Sequence, residues 1–345
     1  MQVGKTGLAI LVVLILVTGS ISAYNFYTIS QINQRIDDLN VKITAMLYGE
    51  ILKDPYGRTI LVIDKDVEVP NLPGVTIVRV PAQRIVSIGP SITETLFLLG
   101  KGDQVVAVTQ WCNWPRQVVD RKEQGNITVL NNLVDPEVER IVATNPDLVL
   151  VTTMMRPEGI ESLEALGLPV VAVDYGDSLE DIYDAITLIG KVSGAKYNAE
   201  DLLDEMRQNI TRVYNTVANL PKPKVFWMIW HDPLMSAGGP SFITALIQTA
   251  GGVNIFGSVN IAWPYVSSEE VLAQNPDVII IDNSTAANSG ILDVNGLLNF
   301  FPAWSEIKAV KDGKLFIVPD FMIRPGPRTA EAIEIIAELI HGIEI

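Results

Sequence analysis

The chain has 345 residues, a hydrophobic fraction of 48% and a formal net charge of −15. That is length for a membrane segment plus two modest domains, with apolar material for a packed core; the acidity excludes nucleic-acid partners, which need a basic face, and a broad docking surface for anionic lipid. One cysteine, Cys112, and two histidines, His231 and His341, exclude a disulfide framework, a cysteine zinc cluster, a lipid-modified cysteine just after the first apolar segment and a histidine-rich metal site.

Lys5 precedes an almost unbroken apolar stretch from Gly7 to Ala23, continued by Tyr24, Phe26 and Tyr27. About 20 apolar residues cross a bilayer as a helix, and aromatic residues suit its interface. Residues 1–28 are therefore read as a single-pass membrane anchor with the rest of the chain outside the cytoplasm. The alternative is a signal peptide cleaved near Ser20 and Ser22. Ile29, Ile32, Ile36, Leu39, Ile43 and Met46 then alternate in steps of three and four, a heptad-like seam. Residues 29–50 are expected to form a helical stalk, with a helix packed on its own domain as the alternative.

After a hairpin region at 51–83, a doubled α/β plan begins. Arg84–Gly89 reads as a buried strand, and Pro90-Ser91-Ile92-Thr93-Glu94 starts a helix ending at Gly100, with Ser91 as N-cap and Glu94 completing a capping box. Val105–Val108, Asp147–Val151 and Pro169–Val173 are further apolar strands, separated by helical segments including Glu158–Leu166 and Leu179–Val192. Continuous apolar strands between helices indicate a parallel sheet covered on both faces. The plan recurs: Val225–Trp230 is a strand, Pro240-Ser241-Phe242-Ile243-Thr244 echoes the first turn, and Asn275-Pro276-Asp277 repeats Asn145-Pro146-Asp147. Lys314–Val318 and Arg328–His341 supply a last strand and helix. Two similar units imply two Rossmann-like α/β lobes, at 84–194 and 221–345. Between them, residues 195–220 carry Leu202, Leu203, Met206, Ile210, Val213 and Val217 at helical spacing, which predicts one long helix joining the lobes.

The chain resembles the periplasmic binding proteins that carry vitamin B12, iron–siderophore complexes and haem to ABC importers. The residues that carry the likeness are Arg84–Glu94, Glu139-Arg140-Ile141 with Asn145-Pro146-Asp147, Gly251-Gly252-Val253-Asn254, and Ser267 and Glu269 with Asn275-Pro276-Asp277. Within that family the vitamin B12 binders are most similar, through Trp111-Cys112-Asn113-Trp114-Pro115 and Trp263-Pro264 followed by Val266-Ser267. The resemblance implies two lobes joined by one stiff helix, a ligand in the cleft between them, and an ABC permease with its ATPase subunits as partners. It implies cobalamin or a related corrinoid as ligand, with ferric siderophore or haem as the alternative. The alternative from a different class is a membrane-anchored interaction or sensor module without a transport role.

A large planar ligand needs aromatic faces and a few fixed polar groups. The candidates are Trp111, Trp114, Trp230, Trp263, Tyr265 and Phe321, each just after a strand or in a loop; the alternative for each is its own lobe's core, where Trp227 is assigned. Pro90 and Ser91 begin a helix whose free N–H groups either meet a ligand's anionic or amide edge or are simply capped. Arg324 offers a planar fork for carboxylate or phosphate, or else forms a surface ion pair. His231 with Asp232 lacks the second histidine of a metal site, and Cys112 is read as packing. No nucleophile elbow, phosphate-binding loop or His–Glu metal helix occurs, so no enzymatic activity is expected. The resemblance also implies permease docking through an acid on each lobe. Glu158 fits on the first, whereas Gly238-Gly239-Pro240-Ser241 on the second has none.

Overall fold

The computed structural model describes residues 23–69 and 72–345. The anchor expected over 1–28 lies almost entirely outside the described residues, and among those described no helix is long and apolar enough to cross a membrane. The stalk is a helix, Ala23–Tyr48. It runs into a three-stranded sheet of β1 (Gly49–Lys53), β2 (Thr59–Asp64) and β3 (Val75–Val80), with β1 antiparallel and β3 parallel to β2. Asp54 makes the β1–β2 turn by accepting from the backbone N–H groups of Tyr56 and Arg58. One face of this sheet takes Val41 of the stalk helix on Leu61 and Ile63; the other, with Ile60, Val62 and Val78, joins the core of the first lobe. Arg58 fastens the sheet to that lobe, 2.5 Å from Asp54 and 2.7 Å from Glu164. The stalk thus packs on its own domain, yet through Val41, Thr44 and Ala45 and not through the heptad seam.

The first lobe contains β4 (Ile85–Ile88), β5 (Val105–Thr109), β6 (Thr128–Leu130), β7 (Leu148–Thr152) and β8 (Val170–Val173), all parallel, in the order β6-β5-β4-β7-β8. Every residue of β4, β8 and the first four of β7 is buried, as a sheet covered on both faces requires. The short strand β6 is one the sequence pattern did not single out. The capping box expected at Ser91 and Glu94 is not formed. The helix starts at Pro90, its N-cap is Gly89 at φ 153°, and no side chain caps it. Proline is pre-organised for the first helical position, and only a residue without Cβ takes Gly89's backbone conformation readily.

The linker helix spans Lys196–Val217 and buries Ala199, Leu203, Met206, Ile210, Val213 and Val217, the stripe its spacing predicts. Alongside it run Leu179–Ser193 from the first lobe and the final helix, Thr329–His341. One continuous apolar cluster extends from Ile60 through Leu96 and Leu203 to Val225, Trp227 and Ile340. A core shared along the linker resists bending between the lobes.

The second lobe contains β9 (Lys224–His231), β10 (Leu234–Ser236), β11 (Val253–Asn254), β12 (Val278–Asp282) and β13 (Leu315–Val318), on the path β10-β9-β12-β13 with β11 also on β9. Here the expected parallel sheet acquires an antiparallel strand, β10, because the chain reverses at Asp232-Pro233 and pairs back on β9. Its second face is filled by Phe226 and Trp304, whose rings meet edge to face at 5.6 Å.

Candidate ligand-binding site

The carboxyl ends of parallel strands leave a crevice where loops of an α/β unit converge. At the strand ends of the first lobe that crevice is a cavity of about 380 Å³ lined from both lobes. Pro90 and Ser91 line it from the turn after β4, Trp111 from the loop after β5, and Arg324 with Pro325 from the second lobe. Four of the candidates from sequence, Pro90, Ser91, Trp111 and Arg324, therefore meet in one place. Trp111 is 43% exposed and offers its ring to this space instead of filling a core. Leu133, Met154 and Tyr175 complete a largely apolar wall. Tyr175 is fixed by hydrogen bonds from its hydroxyl to Ser91 O at 2.9 Å and with Thr95 Oγ1 at 2.6 Å, and burial pushes its phenol well above the usual range.

The floor of the cavity is where the lobes touch. Ser91 Oγ donates to Pro325 O at 2.8 Å, and the next residue packs closely on it: a Cβ on Gly326 would come 3.1 Å from the Ser91 side chain. Arg324 lies 3.8 Å from Glu94 and 3.4 Å from Asp320. Burial pushes the Glu94 carboxyl up to about 7; Arg324 and Arg328 pull it down, and Asp320 and Glu331 add to the rise. Arg328 crosses between the lobes, its guanidinium carbon 4.8 Å from the centre of the Trp114 ring and 3.5 Å from that of Phe321. Trp114 and Phe321, expected on the ligand, instead face this guanidinium and do not line the cavity.

The remaining aromatic candidates form a row on the second lobe. Trp230 on β9 pairs with Met235 on β10, and Met235 bridges to Tyr265, so the three share one face of the sheet edge. Backbone bonds from Ser236 N to Pro264 O and from Val266 N to Leu234 O hold the Trp263–Val266 segment against β10. Trp263 is 41% and Tyr265 73% exposed, whereas Trp227 is wholly buried, as assigned. Trp230 Nε1 donates to Asp232 O at 2.9 Å, which turns its polar edge toward its own loop.

Among the described residues no three of His, Cys, Asp and Glu gather to hold a metal. His231 packs against the rings of Trp230 and Phe300. Cys112 is buried between Thr93 and Thr109, and burial pushes its thiol up. A larger hollow of about 730 Å³ lies beside β3, but Arg58 there is held by Asp54 and Glu164. Glu158 stands exposed in the first turn of the helix Pro157–Ala165, on the outside of the first lobe. On the second lobe the Gly238-Gly239 pair leaves no room for side chains. A Cβ on Gly238 would sit 2.0 Å from Ile261 O and one on Gly239 2.7 Å from Gly257 O, because the 257–262 loop lies directly over them.

Sequence reasoning missed Leu133, Met154, Tyr175 and Arg328. Tyr175 was within reach, since Asp174-Tyr175-Gly176 directly follows the strand Val170–Val173, the same position relative to a strand that singled out Trp111. Arg328 was not: nothing local marks a side chain that crosses to the other lobe.

Comparison with known proteins agrees with this architecture. A family model described as periplasmic binding protein matches residues 85–321. An uncharacterized ABC transporter substrate-binding lipoprotein of Bacillus subtilis is 29% identical over 77% of this chain and 82% of its own. A vitamin B12-binding protein of Vibrio parahaemolyticus is 25% identical over 78% of this chain and 93% of its own. Among solved structures, an apo periplasmic haem-binding protein of Roseiflexus superposes with a TM-score of 0.67 at 24% identity, covering 76% of this chain and 98% of its own.

Proposed function

This chain belongs to the periplasmic binding protein family, a family of solute-binding proteins and not of enzymes, and from that premise we propose that it captures a corrinoid between its lobes and delivers it to an ABC permease. The observation that carries the reading is the cavity itself: an apolar wall with one exposed indole, Trp111, and a polar rim at Ser91 and Arg324 supplied by opposite lobes. That combination suits a broad, partly apolar ligand with amide or acidic edges. In this reading Trp111 and Trp263 stack on the ligand from either side, Tyr265 and Trp230 extend the second lobe's platform, and the N–H groups at the start of the helix Pro90–Leu98 meet its polar edge. Arg324 turns from Asp320 toward an acidic substituent. The vitamin B12 binder of Vibrio parahaemolyticus supports the choice of corrinoid over haem or ferric siderophore.

The test is calorimetric titration of the full chain in detergent with cobalamin, haem and a ferric siderophore. Cobalamin binds, and Trp111→Ala and Trp263→Ala each weaken it by about 2 kcal/mol, roughly thirtyfold, at an unchanged thermal midpoint. Heat from another ligand and none from cobalamin sinks the corrinoid assignment and leaves the transport reading standing. For delivery, Glu158 is the permease contact on the first lobe; Glu158→Ala lowers uptake without changing ligand affinity. Residues 7–23 hold the chain at the outer face of the membrane, and intact protein with Met1 in the soluble fraction overturns that anchor.

A further inference from the structure

The stalk helix carries two apolar faces, and its own domain uses one of them. Val41 and Thr44 are buried and Ala45 packs beside them on the three-stranded sheet. The heptad seam is elsewhere: Ile32 is 45%, Leu39 57%, Ile43 46% and Met46 87% exposed, with Ile36 half-buried between them. At roughly 100° per residue the seam and the packed face point to opposite sides of the helix. Single exposed apolar residues are ordinary. Four exposed and one half-buried in strict three-and-four steps are not, and a period of 3.5 residues is the pattern of two helices wound on each other.

We propose that this seam is the interface of a parallel coiled-coil dimer, and that its partner is a second copy of the same chain. Three features select that occupant. Ile36 and Ile43 take one set of core positions and Leu39 lies between them in the other, the β-branched and γ-branched alternation that favours two strands. The flanking cations, Arg35 and Lys42, lie on one edge of the seam, and Asn33 and Asn40 on the other. In a parallel pair each cation meets a neutral edge, Arg35 beside the partner's Asn40; an antiparallel pair sets Arg35 against Lys42 and repels. The apolar run Gly7–Ala23 precedes the helix, so only parallel partners leave through the same end. The sheet that holds Val41 lies on the far side and does not obstruct a second helix. Asp37 and Asp38 lie away from the seam, toward the side of the helix that packs on the sheet, so Asp37 is an off-seam reference position.

The experiment is mild oxidation of full-length variants that each add one cysteine, in isolated membranes, with the wild type, whose Cys112 is buried, as background. Ile36→Cys and Ile43→Cys give a disulfide-linked homodimer, while wild type and Asp37→Cys do not. Folded protein that gives no homodimer at either seam position overturns the proposal. So does equal linkage at Asp37→Cys, which reports random collision, and so does linkage to a different protein only. A dimer formed only when Ile32→Cys and Met46→Cys chains are mixed overturns the parallel orientation. A second measurement is independent of cysteine chemistry. The double variant Ile36→Asp with Ile43→Asp is monomeric by light scattering in detergent, its self-association weakened at least about a hundredfold. Its thermal midpoint for the lobes stays at the wild-type value, because neither side chain belongs to the cluster on the sheet. A double variant that remains dimeric overturns the seam as the interface.

Discussion

The two lobes open on nearly the same words and do different things with them. The first reads Ile88-Gly89-Pro90-Ser91-Ile92-Thr93-Glu94, the second Gly238-Gly239-Pro240-Ser241-Phe242-Ile243-Thr244. In the second lobe the serine turns inward: Ser241 Oγ accepts from Thr244 N at 3.2 Å and donates to Gly238 O at 2.7 Å, which closes its own helix start. In the first lobe Gly89 and Pro90 begin the helix without a side-chain cap, so the Ser91 hydroxyl is free to reach the opposite lobe. Three residues on, Thr244 completes a local network, whereas Glu94 is a buried carboxyl beside Arg324 of the other lobe. One turn is finished within its lobe and the other is finished by its neighbour. The repeated sequence therefore does not fix one geometry: the first helix starts at Pro90, the second two places later at Phe242, and the residues around each turn decide whether it serves the lobe or the cleft.

Breaking the second lobe's turn has the largest effect. Ile88 in the first lobe corresponds to Gly238 in the second, and there a Cβ would lie 2.0 Å from Ile261 O. Both atoms belong to backbone or start at it, so neither can swing away. Gly238→Ala costs about 3 kcal/mol or more, or prevents folding, measured by urea denaturation. The same clash bars every larger side chain at this position.

The next effect belongs to the first lobe and depends on pH. Folded, Glu94 titrates near 7; unfolded, it returns to its ordinary 4.5. Between those values the native chain holds a proton that the unfolded chain has lost. Its contribution to stability is therefore most favourable below about 4.5, falls as pH rises to about 7, and is flat above. The span is on the order of 3 kcal/mol. Urea midpoints of wild type and Glu94→Gln across pH 4 to 8 isolate it: the difference between the two curves changes within that window and levels off outside it. Parallel curves remove Glu94 as the titrating group. Thr244 stands at the corresponding place in the second lobe and contributes no such slope.

Most of the architecture was legible because it rests on local periodicity. Apolar strands such as Leu148–Thr152, the linker stripe through Leu203 and Val213, and the recurring Asn-Pro-Asp turns each declare their structure within a few residues. The short strand Thr128–Leu130 did not, since three residues carry no period. The site was legible in part for the same reason. Trp111 and Ser91 follow strands, and strand ends are where α/β sheets bind. Trp114 and Phe321 looked equivalent to Trp111 by that rule and differ only because Arg328 lies between them, a contact made across the lobes. The capping box at Ser91 misled for a related cause: the local pattern was right for a cap, and a carbonyl from the other lobe, Pro325 O, holds the hydroxyl instead.

The smallest expected effect compares the two serines directly. Ser241 is buried, and its hydroxyl both accepts from a helix N–H and donates to a carbonyl, so Ser241→Ala removes a side-chain N-cap with two buried hydrogen bonds and costs about 1–2 kcal/mol. Ser91 makes a single, partly buried bond across the cleft, and Ser91→Ala costs about 0.5–1 kcal/mol. The difference in size is modest, and the difference in kind is the sharper test. Losing the Ser241 bonds loosens the start of Phe242–Thr249, so hydrogen exchange quickens in that helix alone. Losing the Ser91 bond leaves its helix intact, because no side chain capped it. Exchange should then quicken in the Asp320–Thr329 segment of the opposite lobe, where Pro325 has lost its donor and Arg324 and Arg328 remain as the ties. If Ser91→Ala instead frays Pro90–Leu98 and leaves the 320–329 segment unchanged, the two turns are equivalent after all, and the contrast between a self-contained lobe and a latched one fails.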